Sequence, residues 1–236
     1  VNTDPSSQLS AAARERATTL RALAVASAAL FVALFCSTFV TGVSQQRFER
    51  VAPAAEYASA LVRDATALRA LITLDDLFIA VYVALGLSFA RTFVARQPSL
   101  SLAASVAVCA AGALDFAENH HILAMLAGAE AGVAPTMEAL VGRSRDSALK
   151  WMLGHAAFVF AGLAMGADTA PKRIFRAALV GVQLPVGALC WTLATPTALF
   201  AANVGRALGL VSGFAFIAWL APQLVADGER ETGARA

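Results

Sequence analysis

The chain has 236 residues, 58% of them hydrophobic and 14% charged, with a formal net charge of +2 at pH 7. These proportions exclude an ordinary soluble domain and assign the chain to the membrane class, with the lipid bilayer as its first partner. No nucleic-acid partner is expected.

A helix rises about 1.5 Å per residue and the hydrocarbon core is roughly 30 Å thick, so a span needs about 20 apolar residues. Six runs qualify: Leu20 to Val40, Leu71 to Phe89, Leu102 to Leu126, Trp151 to Ala167, Phe175 to Leu193 and Ala198 to Leu220. The expected fold is all-α, a bundle of six transmembrane helices over 20–221, with a flexible N-terminal tail at 1–19 and a polar C-terminal tail at 222–236. A five-span or re-entrant arrangement is the alternative, because the fourth run is short and the third holds several polar residues.

In chain order, the first run is too long for a signal-peptide core and no small-residue cleavage site follows it at Thr41-Gly42-Val43, so it reads as an anchor. Between the first two spans, Tyr57, Leu61 and Leu68 recur at helical spacing opposite Arg63 and Asp64. They predict an interfacial amphipathic helix over Glu56 to Arg69, entered just after Pro53 and able to run on into the second span. The loop Gly128 to Ser147 reads as a connection with a short helical turn at Met137 to Val141, a candidate lid. Pro185 predicts a kink in the fifth span beside Gln183. Ala201, Gly205, Gly209 and Gly213 recur every four residues, a stripe suited to close helix packing within the bundle or to a homo-oligomer. Cys36, Cys109 and Cys190 are scattered through apolar runs, as packing residues are.

Arg14, Arg16 and Arg21, then Arg91 and Arg96, then Lys172, Arg173 and Arg176 all fall on one side of a six-span chain. By the positive-inside rule that side is cytoplasmic, with both termini inside a bacterial plasma membrane.

The chemistry lies in the spans. Asp115, Glu118 and Asn119 share one wedge of the third span at about 100° per residue. Asp75 and Asp76 in the second, Lys150 and His155 in the fourth, and Asn203 and Arg206 in the sixth are expected at similar depth. A charged side chain facing lipid costs several kcal/mol, so these residues are expected to face inward around one hydrated site open to the external face. Four carboxyls then meet two cations, Lys150 and Arg206. That excess can be removed by protons, by water or by a bound cation.

Three functions follow. The first is transport or sensing of a proton, cation or small polar solute. The second is a membrane-embedded, metal-dependent hydrolase, because Glu118 and His121 form Glu-x-x-His and His155 would complete a zinc site. The third is a structural or assembly subunit whose carboxylates are internal ion pairs. Haem between His120 or His121 and His155 is disfavoured by the carboxylate lining and the small number of histidines. Asp115-x-x-Glu118-Asn119 late in one span, with Lys150-Trp151 opening the next, resembles a pattern in small uncharacterised bacterial integral membrane proteins, over about a quarter of the chain; the resemblance implies a membrane fold and no activity. There is a looser similarity to alkaline-ceramidase-type membrane hydrolases, but their late His-x-x-x-His is absent and their catalytic residues are not carried over.

Overall fold

Lipid offers backbone groups no hydrogen bonds, so apolar runs of this length close their own ladders as helices. A computed structural model describes residues 10–192 and 196–233. Its helices are α1 (Ala11–Thr41), α2 (Ala54–Arg63), α3 (Ala65–Arg91), α4 (Pro98–Glu130), α5 (Met137–Ala164), α6 (Ala170–Gly181), α7 (Gln183–Thr192) and α8 (Pro196–Gly233), with a 3-10 turn at Gln45–Arg47. No strand occurs among the described residues. Six helical stretches are long and apolar enough to cross a membrane, α6 and α7 together forming one of them. The chain is an all-α, multi-pass integral membrane protein, and the five-span alternative is set aside.

The ends differ from the expected tails. Helix begins at Ala11 and continues to Gly233; residues 1–9 and 234–236, and the expected end of the fifth span at Leu193, lie outside the described residues. The charges at these ends stabilise the helices they extend: Arg16 pairs with Glu229 at 2.7 Å, and Arg21 Nε donates to the Ala218 carbonyl at 3.1 Å.

The loop expected at 128–147 is also mostly helix. α4 ends at Glu130 and is capped through Gly132, whose φ of +80° lets Val133 N–H reach back to the Gly128 carbonyl at 2.8 Å, a left-handed conformation that glycine adopts without steric cost. α5 starts one residue after Thr136, whose hydroxyl accepts from Ala139 N–H at 3.2 Å. No separate turn exists at 137–141; it is the first turn of a 28-residue helix.

The residues form two compact units, with the division falling inside α1, α3, α4 and α5. One unit comprises 29–80 and 110–151. In it the predicted amphipathic helix appears as α2, and its Tyr57, Ala60 and Leu61 bury against Phe48, Leu68, Ile72, Ile122, Leu126 and Leu140. It does not run unbroken into α3. Asp64 leaves the helical region at φ −97°, ψ 8°, with its carboxylate gripping Arg63 at 2.9 Å. Asp competes for nearby donors and so favours such a break. Tyr57 donates to the Phe48 carbonyl at 3.0 Å, and burial pushes its phenol up to about 12.

The other unit comprises 1–28, 81–109 and 152–236. Phe89, Phe175 and Phe216 tie α3, α6 and α8 together, the last two stacked at 5.4 Å. The expected kink interrupts the span at Val182, which stays near helical dihedrals: Pro185 has no N–H for the Gly181 carbonyl and its ring displaces it. Lys172, 1% exposed, is held by Asp168 at 2.9 Å and Asp227 at 2.5 Å. That hydrogen bond from Lys172 holds the Asp168 carboxyl below its usual range.

α8 approaches Thr92 so closely that a Cβ at Gly228 would lie 2.6 Å from its backbone oxygen. Gly228→Ala is therefore expected to cost about 1–3 kcal/mol through a backbone shift. Thermal unfolding in detergent measures this against Gly205→Ala, where an added Cβ meets nothing within 4 Å and no loss is expected. Gly209 and Gly213 are equally open, so the stripe seats no helix of this chain among the described residues.

Candidate functional site

Residues from α3, α4, α5 and the turn after α1 build a polar cluster within the unit of 29–80 and 110–151. Glu118 is fully buried in it, with its side chain 0% exposed. On α5, Arg143, Ser147 and Lys150 stand at i, i+4 and i+7, one face of a helix. All three donate to Glu118: Arg143 Nη1 at 3.1 Å and the Ser147 hydroxyl to Oε1, Lys150 Nζ to Oε2. Arg143 also donates to the Arg50 carbonyl at 3.3 Å and lies over the Tyr57 ring at 5.6 Å. Full burial requires this many partners, because an uncompensated ion here would cost several kcal/mol.

Lys150 is shared. Besides Glu118 it reaches Asp115 Oδ1 at 2.7 Å and Glu49 Oε1 at 3.4 Å. Trp151 Nε1 donates to the other Glu49 oxygen at 3.2 Å, and the Lys150 ammonium sits 5.4 Å from the Trp151 ring centroid.

Asn119, 0% exposed, organises the second half. Its amide nitrogen donates to Asp75 Oδ2 at 2.9 Å and Asp76 Oδ1 at 2.7 Å, and its oxygen accepts from Gln45 Nε2. Gln45 donates in addition to Asp75 at 3.2 Å. Asp75 is within electrostatic reach of Asp115 and Lys150, which joins the two halves. Glu118, Asn119, Arg143 and Lys150 are buried, whereas Asp75, Asp76 and Asp115 are half-buried. The cluster thus grades from a sealed ion-pair core to a half-buried carboxyl edge, and among the described residues it gathers Glu49, Asp75, Asp76, Asp115 and Glu118, five carboxyls, with the cations Lys150 and Arg143.

Six of the nine expected cluster residues meet here: Asp75, Asp76, Asp115, Glu118, Asn119 and Lys150. His155, Asn203 and Arg206 belong to the other unit. There His155 Nδ1 pairs with Gln183 Oε1 at 3.0 Å, and its ring lies so close to α7 that a Cβ at Gly187 would come within 2.4 Å of it. Arg206, expected with Lys150 as a cation for the carboxyls, donates to Asn203 Oδ1 at 3.0 Å one turn earlier on α8.

No family model, curated protein or solved structure matches this chain. Chemistry must therefore be read from the donor set. The proposed zinc ligands Glu118, His121 and His155 do not fit: Glu118 is occupied by two cations and a hydroxyl, His121 is exposed, and His155 Nδ1 is engaged by Gln183. Among the described residues no three His, Cys, Asp or Glu side chains are grouped to hold a metal ion. The haem candidates His120 and His121 are both exposed.

Gln45, Glu49, Arg143 and Ser147 were not foreseen. The i, i+4, i+7 spacing of Arg143, Ser147 and Lys150 was the available signal, hidden by reading 128–147 as a loop. Gln45 and Glu49 sit in and beside a short turn that leaves no periodicity to detect.

Proposed function

We propose that the carboxyl edge of this cluster, Asp75, Asp76 and Asp115, exchanges protons, and that the protein is a proton-linked transporter or pH sensor of a bacterial plasma membrane. The observation that carries this reading is the imbalance of five carboxyls against two cations inside apolar surroundings. Charges of one sign cannot all persist there, and protons are the counter-charge that needs no preformed ligand shell. Asn119 suits the task, since one amide group bridges two adjacent aspartates and keeps them hydrogen-bonded as their charge changes. The Glu118 half has the opposite character. Saturated by Arg143, Lys150 and Ser147, it fixes helix register and holds Lys150 at the boundary of the exchanging half. This division absorbs the ion-pair reading for Glu118 without extending it to the aspartates. The arginine and lysine distribution supports an external α2 end and cytoplasmic termini, and the open Gly205, Gly209 and Gly213 stripe suits a second copy of the chain.

Reconstituted vesicles loaded with a pH-sensitive dye provide the test. Under an imposed membrane potential, the wild type is expected to admit protons about tenfold faster than empty vesicles, and Asp75→Asn to fall within about twofold of them, the loss of one relay step. For a sensor, Trp151 fluorescence in a Trp191→Phe, Trp219→Phe background is expected to change between about pH 5 and about pH 8, and to stop changing in Asp75→Asn. Flux equal to empty vesicles together with a flat fluorescence profile in the wild type would leave only the structural role.

A further inference from the structure

α1, α3 and α8 enclose a cleft of about 1030 Å³ where their apolar stretches give way to charged ends. Its lining lies within the unit of 1–28, 81–109 and 152–236 and includes no residue of the carboxyl cluster. Gly228 and Thr92, in close backbone approach, both border it. One wall is apolar, formed by Leu20, Val94 and Val225.

The polar lining divides by charge. Ser88 and Arg91 are three residues apart on α3, hence on one face, and Thr19 faces the cleft from α1. None of these three side chains has a hydrogen-bond or ion-pair partner among the described residues. A guanidinium with two hydroxyls is a phosphate-binding set. On α1, one turn before Thr19, Glu15 also lines the cleft without an ion pair among the described residues, whereas Glu229 is already held by Arg16. The cleft thus presents an uncommitted cation, a separate uncommitted carboxylate and an apolar wall.

We infer that this cleft takes the headgroup of an aminophospholipid, with the phosphate on Arg91, Ser88 and Thr19, the ammonium on Glu15, and the first acyl carbons along Leu20 and Val225. The volume is at the upper end of the range for small-molecule sites, enough for a headgroup and glycerol. A membrane lipid is favoured over a soluble phosphate compound because the charged ends of apolar spans lie at headgroup depth and the apolar wall has no use for a tail-less ligand. This site is independent of the proton-exchange reading, and lipid retention is measured without any flux.

Native mass spectrometry of the full chain, released from micelles doped with equal amounts of phosphatidylethanolamine, phosphatidylcholine and phosphatidylglycerol, tests it. The wild type is expected to retain the ethanolamine lipid about five- to tenfold over the choline lipid, whose ammonium has no N–H to donate. Glu15→Gln should abolish that preference while leaving phosphatidylglycerol retention unchanged, and Arg91→Gln should lower retention of all three. Arg91→Lys should keep most of it. Circular dichroism checks that each variant is folded, and the pair Thr19→Ala, Ser88→Ala replaces Arg91→Gln if that variant is not. Equal retention of the three lipids by the wild type, or no change in any variant, overturns the assignment. Retention of tail-less glycerophosphoethanolamine as strong as that of the lipid overturns the lipid source.

Discussion

Replacing Lys150 with methionine is expected to be among the most damaging single changes in this protein. One ammonium serves Glu49, Asp115 and Glu118, and methionine matches its stem but carries no charge. Removing one partner from a buried ion pair typically costs about 3–5 kcal/mol, because the remaining charge is stranded. Here the loss of that cation removes the shared partner of Glu49, Asp115 and Glu118. A deficit of that size corresponds to a fall of roughly 10 °C in thermal midpoint for a chain of this length. The pH dependence distinguishes this cause from a packing defect. Carboxyls without a counter-cation must take up protons to stay buried, so the folded variant binds more protons than the unfolded one and its stability falls as pH rises. Midpoints of wild type and Lys150→Met in detergent are expected to converge towards about pH 5 and to diverge towards about pH 8. A second change, Glu118→Gln, should recover part of the loss at the higher pH. A pH-independent gap would mean that Lys150 acts through its methylenes and Trp151 rather than through its charge.

The arrangement that makes Lys150 so central was half legible in the sequence. The Asp115, Glu118 and Asn119 wedge could be read because four residues cover only slightly more than one helical turn, and because ionisable groups in an apolar run must turn inward. The spans were legible for the same reason that limits the method: hydropathy reports contact with lipid, not helix. α4 runs to Glu130 and α5 begins at Met137, beyond the apolar limits at Leu126 and Trp151. The first turns of α5 carry Glu138, Arg143, Arg145 and Asp146, a composition that looks like a loop until Arg143 is seen to be 2% exposed. By composition alone Arg143 reads as a surface charge. His155 and Arg206 show a different limit. Position along a span gives a height and a rough angle, but not which neighbour a side chain meets, and these two found the amides of Gln183 and Asn203. Gln45 and Glu49 illustrate the remaining limit, since a residue delivered to a site by a turn has no periodic signature.

Asn119→Asp changes one side-chain nitrogen to oxygen, and a large effect is nonetheless expected. The wild-type amide donates to both Asp75 and Asp76 and accepts from Gln45; an ionised aspartate keeps only the acceptor role. Two charge-assisted hydrogen bonds, each worth roughly 1.5–3 kcal/mol, become repulsive contacts, and a sixth carboxyl enters a cluster that still has two cations. At about pH 8 the variant is expected to unfold at least roughly 10 °C below the wild type. At about pH 5 a proton on the new carboxyl restores one donor, and most of the difference should vanish. Asn119→Leu separates the two contributions. It removes the donors without adding charge, so its loss should be smaller at high pH and should recover less on acidification. If Asn119→Asp and Asn119→Leu behave alike across that range, the carboxyl edge does not respond to charge, and proton exchange at Asp75 and Asp76 loses its physical basis. If they diverge as described, Asn119 is the residue through which protonation of one aspartate is felt by the other, and through Asp75 by Asp115 and Lys150.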